Sequence, residues 1–113
     1  DHTPRNPRRD VKFEVTPALA ADWARLSNDE RARFRAVVRD RFHPACERRL
    51  ADPIATWPRT LRVRDVEGAT GILEMTWSFA GPDGRATFEW VIREGESRVR
   101  WRRIGGHEVF RRP

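Results

Sequence analysis

The chain lacks several residue types, and each absence narrows the range of functions. Its 113 residues include no tyrosine and a single cysteine, Cys46, so no disulfide can form within it, and we expect a cytoplasmic protein. No run approaches the roughly 20 apolar residues of a membrane span, which predicts no membrane partner. The three histidines and the one cysteine lack zinc-ligand spacing, and no glycine-rich phosphate loop is present. We therefore expect neither a metal nor a cofactor.

Lysine is also nearly absent, although the chain is strongly basic. Lys12 is the only lysine, so 22 of the 23 basic residues are arginines, and the formal net charge is +6. A GC-rich coding sequence is one explanation of the arginine bias. The other is function, because a planar guanidinium binds a phosphate through two parallel hydrogen bonds. The net charge itself predicts an anionic partner, either a nucleic acid or an acidic protein.

The first half of the chain predicts an arm, a strand and helices. Residues 1–10 are polar and basic, and we expect a flexible arm followed by one domain over residues 11–113. Alternation of apolar and charged residues predicts a strand at 11–15. Thr16-Pro17 is typical of a helix start, and the capping box at Ser27 to Glu30 predicts a second start. His43-Pro44 is expected to stop or kink that helix before one or two further turns.

The second half changes to a period of two and predicts a sheet. Strands are expected at 60–66, 72–79, 85–93 and 97–104. Short turns join them, so consecutive strands must run antiparallel. The predicted fold is therefore α+β, with an N-terminal strand and two to three helices packed on one face of a four- to five-stranded antiparallel sheet.

Alternation also predicts that one face of this sheet is rich in arginine. In the strand at 72–79, Leu73, Met75 and Trp77 share the apolar face and Glu74 lies on the other. That other face is expected to carry, against only Glu74 and Glu89, the arginines Arg62, Arg64, Arg85, Arg98, Arg100 and Arg102. A solvated face with weak salt bridges is the simpler alternative. The charge imbalance favours a face that binds RNA or phosphate.

Three stretches resemble the RelE/ParE toxin superfamily of toxin–antitoxin systems. They are T-L-R-V-R at 60–64 followed by G-I-L-E-M at 71–75, G-R-A-T-F at 84–88, and I-G-G-H-E-V-F at 104–110. The order and spacing of the three are similar to the family pattern, and G-I-L-E-M leans toward the HigB-like branch. One departure is Phe110, which stands where many members have a tyrosine.

The resemblance implies the toxin of a type II toxin–antitoxin system. Such toxins are metal-independent endoribonucleases that cut messenger RNA, usually on the ribosome, and a cognate antitoxin, often a helix-turn-helix protein, silences them. Two alternatives stay open. The chain would be a ParE-like inhibitor of gyrase, or a degenerate module that binds an antitoxin without cleaving RNA, because a shared fold does not define function.

The resemblance and the chemistry of RNA cleavage assign candidate roles. Arg85 matches the family's strand arginine and would bind the phosphate, with Arg102 as a second clamp. His107 is the candidate general acid and Glu74 the candidate base that activates the 2′-OH. A counter-ion role is the alternative for Glu74. The candidate RNA contacts are Arg62, Arg64, Arg100, Arg103 and Phe110, with Arg103 replacing Arg102 if the strand register shifts.

Overall fold

A mixed five-stranded sheet, covered on one face by helices, is the frame of the protein. The computed structural model describes residues 11–78 and 84–106. The strand order in the sheet is β1-β5-β4-β3-β2. The strands are β1 Lys12–Val15, β2 Arg64–Asp65, β3 Leu73–Ser78, β4 Gly84–Arg93 and β5 Glu96–Gly105. The helices are α1 Pro17–Arg25, α2 Asn28–Val37 and α3 His43–Ala51. The predicted α+β class is confirmed, whereas the predicted arm at 1–10 lies outside the described residues.

The direction of β1 corrects the predicted antiparallel sheet. β2, β3, β4 and β5 form antiparallel neighbours, but β1 pairs with β5 in parallel, Phe13 standing opposite Val99. Short turns force antiparallel pairing only between strands that follow each other in the chain. β1 instead joins the last strand, and the intervening helices and strands leave its direction free.

The helix starts follow the sequence signals. Thr16 accepts a hydrogen bond from the Leu19 amide at the start of α1 and has Pro17 beside it. Ser27 and Glu30 form the reciprocal capping box at the start of α2, each side chain bonding the other's backbone amide. Caps of this kind stabilise a helix by about 1 kcal/mol. They set where each helix begins and so which side chains face the sheet.

His43-Pro44 was predicted to stop or kink the helix, and the stop does not occur. α2 passes into a π-helical turn, Val38–Phe42, and continues directly as α3. Proline has no amide hydrogen, so the Asp40 carbonyl cannot receive the bond that an α-helix would give it. The wider turn accommodates this loss, and the His43 amide donates to the Val38 carbonyl, five residues back. α2, the π-turn and α3 therefore form one continuous rod beside α1.

Aromatic side chains join this rod to the sheet. Phe42 is fully buried, lying 4.9 Å from the Phe88 ring and 4.8 Å from the Trp101 ring by centroids. Phe34 contacts Trp77 and Trp101 edge to face. Leu73, Met75 and Trp77 contribute to this core as the alternation predicted. Alternation along β4 also predicts Ile92 on the apolar face with Phe88, but Ile92 is 73% exposed near the end of this strand.

The strand predicted at 60–66 is mostly absent. Arg59–Leu61 forms a 3₁₀ turn, and only Arg64–Asp65 pairs with β3. Arg62 has φ of 47°, in the left-handed region that a strand cannot contain. Leu61 is buried in the core at this point. The turn places a core residue there at the cost of strand pairing.

Candidate nucleic-acid interface

The sheet face away from the helices gathers several of the candidate residues. Alternation along β3 sends Met75 to the core, and therefore Glu74 and Thr76 to this face. Pairing with the two neighbouring strands puts Arg64 opposite Glu74, and Arg85 opposite Thr76. Strand register alone thus brings two arginines to one glutamate. We call Arg64, Glu74 and Arg85 the central cluster.

The carboxylate of the central cluster is held by both guanidinium groups. Arg64 Nε donates to Glu74 Oε1, and Arg85 Nη1 lies 3.5 Å from the same oxygen. Glu74 is 1% exposed, whereas the Arg64 side chain is 63% exposed. The other oxygen, Glu74 Oε2, has no hydrogen-bond partner among the described residues. One oxygen therefore anchors the group, and the other is shielded from solvent, so a substrate reaches it only when neighbouring side chains move.

This face is less open than the alternation suggested. Three polar side chains that flank the cluster are buried: Thr76, Ser78 and Thr87. A solvated or RNA-facing surface was expected at these positions. Thr76 Oγ1 also has no hydrogen-bond partner within the part of the chain that the structure describes. Glu74 is 1% exposed and Arg85 17%, so Arg64 is the member of the central cluster that is largely open to solvent.

A second group of charges lies on the strands β1, β4 and β5. Glu89 accepts a hydrogen bond from Arg102 Nη1 at 2.7 Å and lies 3.6 Å from Arg100 Nε. Glu14 lies 3.3 Å from the same Arg100 nitrogen and also accepts from Arg93. Glu14 is a third acid that the sequence reasoning did not count on this face. Arg93 was not counted either, so this acid and this arginine together leave the predicted excess of positive charge unchanged.

A β-bulge decides how the end of β5 is used. Trp101 stands opposite Phe88, and the next pair is Arg103 with Thr87, so Arg102 is the extra residue of β5. Thr16, at the start of α1, donates two hydrogen bonds to the bulge. Its amide donates to the Trp101 carbonyl, and its hydroxyl donates to the Arg102 carbonyl at 2.7 Å. The bulge leaves Arg102 beside Glu89 on the face that carries the central cluster.

Arg103, the rival to Arg102, makes a structural ion pair. Its Nε and Nη2 atoms lie 2.6 and 3.0 Å from the two carboxylate oxygens of Asp22 on α1. Asp22 is 6% exposed and also accepts the Ile104 amide hydrogen at 3.1 Å. Sequence reasoning missed Asp22. Its signal was a charged residue inside the Leu19–Trp23 stripe of a helix, where an apolar residue is the norm.

The remaining candidates are not joined to the central cluster. Arg62 is exposed in its left-handed conformation and belongs to no strand, so alternation does not place it beside Arg64. His107 and Phe110, the candidate acid and the candidate stacking residue, lie outside the described residues. Their roles stay predictions.

Within residues 11–78 and 84–106, no group of three or more His, Cys, Asp or Glu side chains is arranged to hold a metal ion. No helix in those ranges is long and apolar enough to cross a membrane. Cys46 is fully buried, and burial raises the pKa of its thiol well above the ordinary value, which makes it a poor nucleophile.

Comparison with known proteins returned nothing: no family model, no curated protein and no solved structure matches the chain. Any functional assignment must therefore come from the residues and their geometry.

Proposed function

We propose that the protein is the toxin of a type II toxin–antitoxin system, a RelE-like, metal-independent endoribonuclease that cleaves messenger RNA, chiefly on the ribosome. The observation that carries the proposal is the central cluster. A shielded carboxylate has one oxygen held by two arginines and the other without a partner among the described residues. The resemblance of three sequence stretches to the RelE/ParE superfamily supplies the reaction class.

The proposed reaction uses the ribose 2′-OH as the nucleophile. Glu74 Oε2 accepts the 2′-OH proton, the 2′-oxygen forms a bond to phosphorus, and the bond to the leaving 5′-oxygen breaks. His107 protonates that oxygen, so the products are a 2′,3′-cyclic phosphate and a 5′-hydroxyl end. Arg85 and Arg102 stabilise the charge that develops on the phosphate. The phosphate would replace carboxylates as the partner of these two arginines.

A cleavage assay on purified components tests this mechanism. The protein is first stripped of metal with EDTA and then incubated with a ribosome-bound message in magnesium buffer, and the new 5′ ends are mapped by primer extension. Cleavage by the EDTA-treated protein is expected, and a single 2′-deoxy substitution at the cut nucleotide should abolish it. Glu74→Gln and His107→Ala should each lower the rate about 10²-fold or more. The matched control is Arg41→Ala, an exposed arginine on the helical side.

Two results would count against the mechanism. If the 2′-deoxy message is still cut, the 2′-OH is not the nucleophile. If Glu74→Gln and Arg41→Ala give the same rate, Glu74 is a counter-ion only. A folding check by circular dichroism accompanies each variant, because Glu74 is buried.

One observation favours a second candidate, a module that binds a partner without cutting RNA. Each strand arginine of the two charged groups has a carboxylate within 4 Å, as shown by Arg64, Arg85, Arg100 and Arg102. Such pairing is what a purely structural face would have. Intact messages together with a DNA-damage response on induction would favour a ParE-like gyrase inhibitor. Intact messages without that response would favour a degenerate module that binds an antitoxin.

The proposed function implies a cognate antitoxin as partner and a cytoplasmic site of action. The net charge of +6 suits a partner with an acidic segment. A helix-turn-helix antitoxin would be consistent with the HigB-like resemblance. Co-expression with the neighbouring reading frame, followed by purification of the pair, tests this partner.

A further inference from the structure

A groove on the helical side of the sheet has the volume and the wall chemistry of a small-molecule site. It lies between β1, α1 and the rod that α2 forms with the π-turn, and its volume is about 560 Å³. Small-molecule sites in proteins are mostly apolar clefts of about 300–1,000 Å³ with a few polar groups. The apolar side chains that line this groove include Phe13, Val15, Leu19, Trp23, Val38 and Trp101. The groove therefore suits a ligand with an apolar body.

The walls of the groove include apolar side chains that the core leaves open to water. Val15 is 56% exposed at the end of β1, and Phe13 and Trp23 are only partly buried against the core. Ala20 is exposed on α1 and borders the same groove. Open apolar surface rimmed by polar groups marks binding sites. A bound apolar body would remove this surface from water, and that removal is favourable.

The polar side chains that border the groove all lie on one flank, along the rod. Within the described residues they are Arg35, Arg39 and His43. Arg39 pairs with Asp40 at 2.8 Å, and His43 Nε2 lies 3.4 Å from Glu47. No carboxylate of the described residues pairs with Arg35. Arg35 is therefore the lining cation that keeps its charge for a ligand.

Arg35 is held at the apolar wall by an aromatic ring. Its guanidinium carbon lies 5.1 Å from the centroid of the Trp23 ring, a favourable cation–π distance. Arg31 lies 6.0 Å from the same ring, and its Nε donates to the Trp23 carbonyl at 3.0 Å. A planar guanidinium presents a fork of N–H donors that matches a carboxylate. The ring contact thus fixes a carboxylate-binding group at the edge of an apolar groove.

We propose that this groove binds a free fatty acid of medium chain length. The alkyl chain would lie against the apolar walls, and the carboxylate would meet the guanidinium of Arg35. One unpaired cation beside an apolar groove matches a ligand with one anionic group and a long apolar body. A nucleotide fits less well, because its several phosphates need several cations and its sugar would meet apolar walls. The inference goes beyond the proposed function and does not depend on RNA cleavage.

Isothermal titration of the full chain with saturated fatty acids tests the groove. The ligands are octanoate, decanoate and laurate, each kept below the concentration at which it forms micelles. One-to-one binding is expected, and each added methylene should strengthen it about threefold to fourfold until the groove is filled. Uncharged 1-dodecanol and cationic dodecylammonium should each bind about tenfold more weakly than laurate, because neither can accept the charge-assisted hydrogen bonds of Arg35.

Three variants at exposed positions separate the two halves of the site. Arg35→Glu should weaken laurate binding about tenfold or more and shift the preference toward dodecylammonium. Ala20→Trp places a large ring in the groove, so it should weaken binding of every chain length. Arg41→Glu is the matched control, because Arg41 is an exposed arginine of the same rod that does not border the groove. It should leave the affinity for laurate unchanged.

Several outcomes would overturn the inference. The first is no binding of laurate by the native chain. Equal weakening by Arg35→Glu and Arg41→Glu, or a stoichiometry well above one, would indicate non-specific adsorption of an amphiphile. Equal affinity for laurate and 1-dodecanol would show an apolar patch without an anion site. Binding to phosphatidylglycerol vesicles that Ala20→Trp weakens, without binding of free laurate, would indicate a membrane surface as the occupant.

Discussion

Cys46 is a buried thiol in a chain that has few other groups titrating at alkaline pH. It is 0% exposed, and burial raises the pKa of its thiol above the ordinary value. In the unfolded chain the thiol ionises near pH ~8.5. The unfolded state then loses a proton that the folded state keeps, so the stability contribution is full below that pH and falls above it.

We therefore expect the free energy of unfolding to fall by up to about 1.4 kcal/mol per pH unit above pH ~8.5. Because the chain has no tyrosine and a single lysine, few other side chains titrate at alkaline pH, and the slope can be assigned to Cys46. Urea denaturation at a series of pH values measures it in the native chain and in Cys46→Ala. The variant should show a nearly flat profile over the same range. Equal slopes in the two proteins would mean that another group controls the alkaline loss.

Gly84 is required by a close approach between neighbouring strands. A Cβ atom at this position would lie 2.6 Å from Cε2 of the Trp77 ring. Gly84→Ala should therefore lower the free energy of unfolding by about 1–3 kcal/mol, because a packed ring has to move. Trp77→Phe removes the ring atoms that clash, so Gly84→Ala should cost clearly less in that background. Additive losses in the double variant, measured by urea denaturation, would show that the clash is not the cause.

At the scale of elements, one buried ion pair joins α1 to β5. Asp22→Ala removes the partner of Arg103 and the acceptor of the Ile104 amide. The free energy of unfolding should fall by about 3 kcal/mol, since a partly buried cation and an amide lose this acceptor. Asp22→Asn keeps an acceptor for the amide and should lose about half as much. Urea denaturation measures both.

Asp65→Ala is the control for the Asp22 variants. Asp65 is exposed on β2, and its replacement should change the free energy of unfolding by no more than about 0.5 kcal/mol. A loss for Asp22→Ala as small as this would mean that the pair with Arg103 only offsets the cost of burying it.

The elements also show which parts of the fold are predictable from the chain. Helix starts at Thr16 and Ser27 were predictable because capping is local chemistry. The core side chains of β3 were predictable because alternation along a strand is strict. The direction of β1 was not, because its partner is more than eighty residues away, Phe13 pairing with Val99. The π-turn before Pro44 was not either, because the missing amide hydrogen of Pro44 is compatible with a stop, a kink or a wider turn.

In the candidate site too, local patterns were predictable and long-range contacts were not. Glu74 and Arg85 could be assigned to one face from alternation alone, and the register of β3 and β4 then puts them together. The bulge at Arg102 depends on hydrogen bonds from Thr16, which no local pattern in β5 records. The burial of Glu74 and the charge of Glu14 beside Arg100 arise from long-range packing. Neither was accessible from composition.

At the scale of the whole molecule, charge is distributed over two separate surfaces. The strand arginines on one face of the sheet are paired with Glu14, Glu74 and Glu89. On the opposite side, Arg35 stands over Trp23 beside an open apolar groove. RNA must therefore displace existing ion pairs on the first surface, whereas the guanidinium of Arg35 has no carboxylate partner among the described residues.

This difference sets the expected salt dependence of RNA binding. On a single strand, log affinity falls with log salt by about 0.7 per neutralised phosphate. Because the face arginines already have carboxylate partners, we expect a slope equivalent to about two or three phosphates, fewer than the arginines present. Arg85→Ala should reduce the slope by about 0.7, and Arg41→Ala on the helical side should not change it. Anisotropy of a labelled 2′-O-methyl RNA, which cannot be cut by 2′-OH attack, measures both. A slope unchanged by Arg85→Ala would place RNA binding away from the central cluster, and the charge of +6 would then serve a protein partner.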